Sequence, residues 1–144
     1  MNYKGHLTVG LITSVGVVGS FLALTDNLIE SLVCGITTLV FSLYPDLDTA
    51  SKPSRYAFVL GSISILYFFS VESYIAMILT FLFIVIPKMF KHRGMAHTLK
   101  FGLLASVCWL HILMQIIEVE NTYIIASGMI GYLTHLILDK HVRL

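Results

Sequence analysis

Along the chain, apolar runs of roughly 16–22 residues alternate with short polar joints, and each run is close to the ~20 residues a helix needs to cross hydrocarbon. The runs cover about His6–Leu24, Leu28–Tyr44, Tyr56–Ser70, Ser73–Met89, Ala96–Ile117 and Thr122–Leu138. The third is short, and with the fourth it can also be read as a partly buried hairpin. A polar loop, Pro45–Arg55, separates the second run from the third. The ten residues Lys91–Lys100 (KHRGMAHTLK) break the apolar pattern most sharply. This pattern predicts an all-α polytopic membrane bundle of about six spans, forming one membrane-embedded domain over residues 1–144.

Composition supports the same class. Hydrophobic residues make up 57% of the 144 positions and charged residues 12%, with a mean hydropathy of +0.88. Soluble domains run at about 45–50% apolar and about 25% charged, and a soluble fold of this size could not hide so much apolar surface. A net charge of +1 with no basic stripe gives no sign of nucleic-acid binding. Cys34 and Cys108 lie inside apolar runs and match no metal or redox spacing, so they read as core residues. The first run exceeds a signal peptide's apolar region and is followed by no small-residue cleavage site, so it is expected to be retained.

Charge then orients the bundle. With six spans, Lys4, Lys52, Arg55, Lys88, Lys91, Arg93, Lys100, Lys140 and Arg143 all fall on one side, and these are all nine basic residues. Asp26, Glu30, Glu72, Glu118 and Glu120 fall on the other. Basic residues concentrate in short cytoplasmic loops, so both termini are expected in the cytoplasm. The basic side also holds Asp46, Asp48 and Asp139, together with His6, His92, His97, His135 and His141. Only His111 falls well inside a run, toward its outer half, where hydrogen bonding between helices is the expected role. Trp109 lies too deep to be an interfacial anchor. Tyr67, Phe68, Phe69, Phe81 and Phe83 read as packing or lipid-facing residues.

That one-sided gathering is where chemistry is expected, because ionisable groups at a membrane are functional candidates. His135 and Asp139 are four apart, on one helix face, and an imidazole–carboxylate pair so placed can hold a divalent ion. Pro45 is expected to end the second helix, leaving Asp46 and Asp48 on an extended turn where alternate carboxylates point one way. Gly94 lets the chain turn between His92 and His97, and His6 opens the first helix. Taken singly, each has a plainer reading: a helix-end pair, a solvated acidic loop neutralised by Lys52 and Arg55, or interfacial histidines beside basic loops. Taken together, distant segments deliver His and Asp to one bundle mouth. Mixed nitrogen and oxygen ligands without thiolate suit zinc, manganese or iron, with zinc first and manganese second. The ligand number allows one or two ions. A bound ion would acidify water for attack on an ester, a free carboxylate, Asp46 or Asp48, would act as general base, and Arg55 and Arg93 would hold phosphate oxygens. Their plainer role is topology and headgroup contact.

The ordered set of His6 in a GH start, PDLD at Pro45–Asp48, Ser54–Arg55, HRGMAHT at His92–Thr98 and GYLTHLILD at Gly131–Asp139 resembles the YdjM-like family. These are bacterial inner-membrane proteins described as metal-dependent hydrolases and held to be distantly similar to the zinc-dependent phospholipase C and single-strand nuclease superfamily. The resemblance covers nearly the whole chain and implies a multi-pass protein of the bacterial cytoplasmic (inner) membrane. It also implies phosphoester hydrolysis, with His6, Asp46, Asp48, His92, His97, His135 and Asp139 as metal ligands and a lipid headgroup as one possible substrate. Thr49 stands where the family often has a further His, Thr98 where it has Ser, and the chain stops short of the family's Gly/Pro-rich tail. Two other functions stay open: a catalytically silent membrane scaffold, and a divalent-cation transporter, for which His111 is the main midplane group.

Overall fold

The structure is a computed structural model and describes residues 3–48, 52–89, 95–117 and 121–139. Among these the fold is all-helical: α1 (Tyr3–Thr25), α2 (Leu28–Leu43), α3 (Lys52–Ser70), α4 (Tyr74–Met89), α5 (Leu99–Leu113) and α6 (Asn121–Leu138). Short 3-10 helices at Tyr44–Asp48 and Met95–His97 follow α2 and precede α5. Lys4–Thr25 and Leu28–Leu47 are long and apolar enough to cross a membrane, and α4, α5 and α6 are shorter apolar helices.

α1 is apolar around its whole circumference, the pattern of a helix surrounded by hydrocarbon or core, and much of it, including Ile12, Val15 and Leu24, is exposed. Its hydroxyls do not demand water. Thr13, Ser20 and Thr25 each donate to the carbonyl four residues back, and Ser62, Ser64, Thr80 and Thr134 do the same elsewhere. That local bonding lets polar side chains sit in an apolar medium. The α1–α2 and α3–α4 reversals turn through Asp26 and Glu72, both at positive φ (51° and 58°), which is costly for residues with a Cβ. Asn27 caps α2, its side chain accepting from the Glu30 amide at 3.2 Å.

α2 is the centre of the bundle, packed against both α1 and α6. Its buried stripe Ser31, Gly35, Thr38 and Ser42 is small, which allows close backbone approach. Ser14 donates to the Gly35 carbonyl at 2.7 Å and Thr38 to the Ser127 carbonyl at 3.1 Å. Gly131 of α6 lies so close that a Cβ there would stand 2.1 Å from the Thr38 carbonyl oxygen. An aromatic core of Phe41, Tyr44, Phe83 and Trp109 ties α2 to α4 and α5. Its polar edges are satisfied, Tyr44 donating to the Phe83 carbonyl (2.9 Å) and Trp109 Nε1 to Thr37 Oγ1 (3.1 Å).

Three local expectations change. Tyr44–Asp48 is a 3-10 helix rather than an extended turn, because Pro45, with no N–H to lose, sits in its first turn where that N–H has no partner. α3 begins at Lys52, four residues before the apolar run, because the first turn of a helix tolerates Pro53. His111, expected between helices, is exposed on α5.

Candidate metal centre

The helix order brings four ends together: the start of α1, the joint after α2, the turn before α5 and the end of α6. From the last three, Asp46, His97, His135 and Asp139 converge, each offering one ligand atom, with all four atoms within 4.8 Å of one another. His97 and His135 are fully buried and Asp46 and Asp139 half-buried. The i, i+4 spacing of His135 and Asp139 works as the helix period dictates, and Asp139 Oδ2 lies 3.8 Å from His135 Nε2.

The decisive detail is the tautomer of His135. Its Nδ1 is 2.9 Å from the Ser42 carbonyl oxygen, which can only accept, so Nδ1 carries the proton. Nε2 of the neutral ring is then a lone pair. It is buried, has no hydrogen-bond partner, and faces two carboxylate oxygens, Asp46 Oδ1 at 3.6 Å and Asp139 Oδ2 at 3.8 Å. A buried lone pair aimed at two acceptors is unfavourable unless a cation lies among them. Both separations are too long for hydrogen bonds. They are close to the roughly 3.3 Å between two ligands of one ion bound at about 2.0–2.1 Å. The donor set, two imidazoles and two carboxylates, fits zinc or manganese. Ser42 supplies the outer hydrogen bond that metal-binding imidazoles usually make.

His6 enters differently. Its ring stacks on His135 with centroids 4.1 Å apart, and its Nε2–H donates to Asp139 Oδ1 at 3.1 Å. It therefore fixes one oxygen of Asp139 while the other faces His135. Burial raises the Asp139 pKa, but hydrogen-bond donors and positive charge around the carboxylate outweigh burial and hold it below its ordinary value. The carboxyl is thus ionised at neutral pH and ready to bind a cation.

Of the other expected residues, Arg55 is exposed in the first turn of α3, outside the converging set. The backbone of Asp48 ends the 3-10 helix, but its side chain lies outside the described residues, as do His92, Arg93, Thr49 and His141. Two contributors were not singled out from the sequence. Ser42 acts through its carbonyl, which any residue provides. The Tyr132 hydroxyl donates to the Ala96 carbonyl and pins the turn bearing His97 to α6; its position three residues before His135, on the same helix face, is the one clue. Thr98 has a structural role, capping α5 by accepting from the Phe101 amide and donating to the Met95 carbonyl at 2.9 Å.

A family model described as YdjM inner membrane protein matches residues 1–142 of the chain. No curated protein and no solved structure matches it.

Proposed function

The chain belongs to the YdjM inner membrane protein family, and on that premise we propose that it is a metal-dependent phosphoester hydrolase of the bacterial inner membrane. In this reading six spans form one membrane-embedded domain with both termini in the cytoplasm, and the His/Asp cluster opens at headgroup depth on the cytoplasmic face. The observation that carries it is the buried His135 lone pair facing Asp46 and Asp139. Asp46, His97, His135 and Asp139 would hold one zinc or manganese ion. When bound, such an ion polarises a phosphoryl oxygen and acidifies water.

The chain's own groups do the rest. Ser42 keeps the His135 proton on Nδ1, so the ring stays a ligand rather than an acid. His6 holds Asp139 in place by donating to its outer oxygen. With Asp46 in the ligand set, the general base falls to Asp48, two residues along the same 3-10 helix. Arg55 and Arg93 both lie between Asp46 and His97 in the chain and suit phosphate oxygens. The transporter reading loses its main support, because His111 is exposed on α5 rather than lining a path inside the bundle.

The test is phosphoester turnover by the purified protein in detergent. Activity should disappear on chelation, return with zinc or manganese, and fall about 10²-fold or more in Asp48→Asn, which removes the general base. Bound metal with no turnover on a panel of lipid and soluble phosphoesters would replace the hydrolase with a silent metal-bearing scaffold.

A further inference from the structure

A second feature lies beside the cluster. A cavity of about 370 Å³ runs between α3 and the α2, α4 and α5 faces opposite it. One end is lined by Leu7, Leu43 and Leu47, chain neighbours of His6, Ser42 and Asp46, so that end lies on the cluster's side of the bundle. The other end reaches Ser64 of α3 and Leu113 and Ile116 at the far end of α5. From Lys52 to Ser64 the α3 wall is twelve residues long, about 18 Å at 1.5 Å per residue. That is close to the ~15 Å depth of one leaflet of a ~30 Å hydrocarbon core.

The walls are apolar in effect as well as in composition. The polar groups that line it deep inside are committed elsewhere: Ser64 to the Leu60 carbonyl, Thr80 to Ala76, Tyr44 to Phe83 and Trp109 to Thr37. Water entering this space would find few partners, and cavities of that kind stay dry or take an apolar guest. Lys52, at the cluster end, is the one charged residue of the lining. Tyr56 and Leu60, both exposed, stand at the rim, so a chain can enter sideways from the surrounding lipid.

We propose that this cavity is an acyl-chain site, which holds the tail of a phosphate-bearing membrane lipid and delivers its headgroup, past Lys52, to the His/Asp cluster. The headgroup half of the proposal rests on the hydrolase reading above; the acyl half does not. The length match, the dry wall and the single cation at the phosphate end point to one occupant, a lipid lying parallel to α3.

Trp109, the only tryptophan in the chain, lines the cavity and reports on it directly. The experiment titrates the detergent-purified protein with a lysophosphatidate carrying a dibrominated stearoyl chain, whose bromines quench tryptophan fluorescence on contact. Saturable quenching is expected. Each methylene denied burial costs about fourfold in affinity, so Ser64→Phe, which closes the deep end, should weaken binding roughly fiftyfold. Ile116→Phe, on a different element, should do the same, which guards against one variant failing to fold. Lys52→Ala should weaken the lysophosphatidate but not the matching brominated fatty alcohol. Quenching that rises in proportion to probe, or that both plugged variants keep at the parent's affinity, would overturn the acyl site. Equal binding of lipid phosphate and alcohol to the parent protein would overturn the headgroup half. Saturable quenching without turnover would remove the hydrolase reading and leave the acyl site standing, and turnover without saturable quenching would do the reverse.

Discussion

With its Nδ1–H committed to the Ser42 carbonyl, His135 has only a lone pair to offer Asp46 and Asp139. His6 differs in kind, because its Nε2–H already bonds the Asp139 carboxylate. It acts on the cluster through Asp139, and its loss should be graded rather than total. Partners of that sort are typically worth about 10–100-fold in metal affinity. His6→Phe, which keeps a ring to stack on His135, is therefore expected to weaken metal binding by about that factor in a competition titration with a chromophoric chelator. Complete loss of binding would make His6 a direct ligand. At this scale the sequence was informative about residue type and silent about role. His135 and Asp139 declare themselves by their spacing, whereas nothing in the letters separates a ligand from the residue that steadies it.

The elements show why the cluster is rigid. The Met95–His97 turn is short, and a 3-10 turn has poorer hydrogen-bond geometry than an α-helix. It is held from both sides, by Thr98 capping α5 and by the Tyr132 hydroxyl donating to the Ala96 carbonyl. Tyr132 and Ala96 are fully buried. Tyr132→Phe leaves that carbonyl without its donor, at a cost of about 1–3 kcal/mol. The expected result is a melting temperature lower by a few degrees, together with weaker metal binding because His97 is no longer held. A lower melting temperature with unchanged metal affinity would show that the turn holds its shape without Tyr132. The apolar runs made α1, α2, α4 and α6 legible nearly to their ends. The 3-10 helix at Tyr44–Asp48 was not, because a proline reads equally as the end of one helix or the first turn of the next. The pairing of α2 with α6 was also hidden. It depends on Gly131 meeting the Thr38 backbone, and small residues mark a close approach without naming the partner.

For the molecule as a whole, the acidic turns and the site fall at opposite ends. Asp26 and Glu72 occupy the turns at one end, and the His/Asp cluster closes the other. If the basic end faces the cytoplasm, as loop charge would place it, vesicle labelling will show it. In a Cys34→Ala, Cys108→Ala background, a cysteine introduced at Lys4 or Lys100 should react with an impermeant maleimide only in inside-out vesicles. One at Asp26 or Glu72 should react only in intact spheroplasts. Labelling of both sets from one side would dismantle the six-span arrangement. The one-sidedness of the ligands was legible in the sequence because short joints force alternating helix directions. Which of them meet was not, since His6, Asp46, His97 and Asp139 are separated by most of the chain and only packing around α2 decides their distances.

The central claim is that Asp46, His97, His135 and Asp139 share one ion, and elemental analysis of the purified protein tests it most directly. The parent chain should carry about one zinc or manganese per molecule, and His135→Ala should carry none while still eluting as a folded, monodisperse protein. A metal-free parent, or a His135→Ala variant that keeps its full complement, would contradict the account.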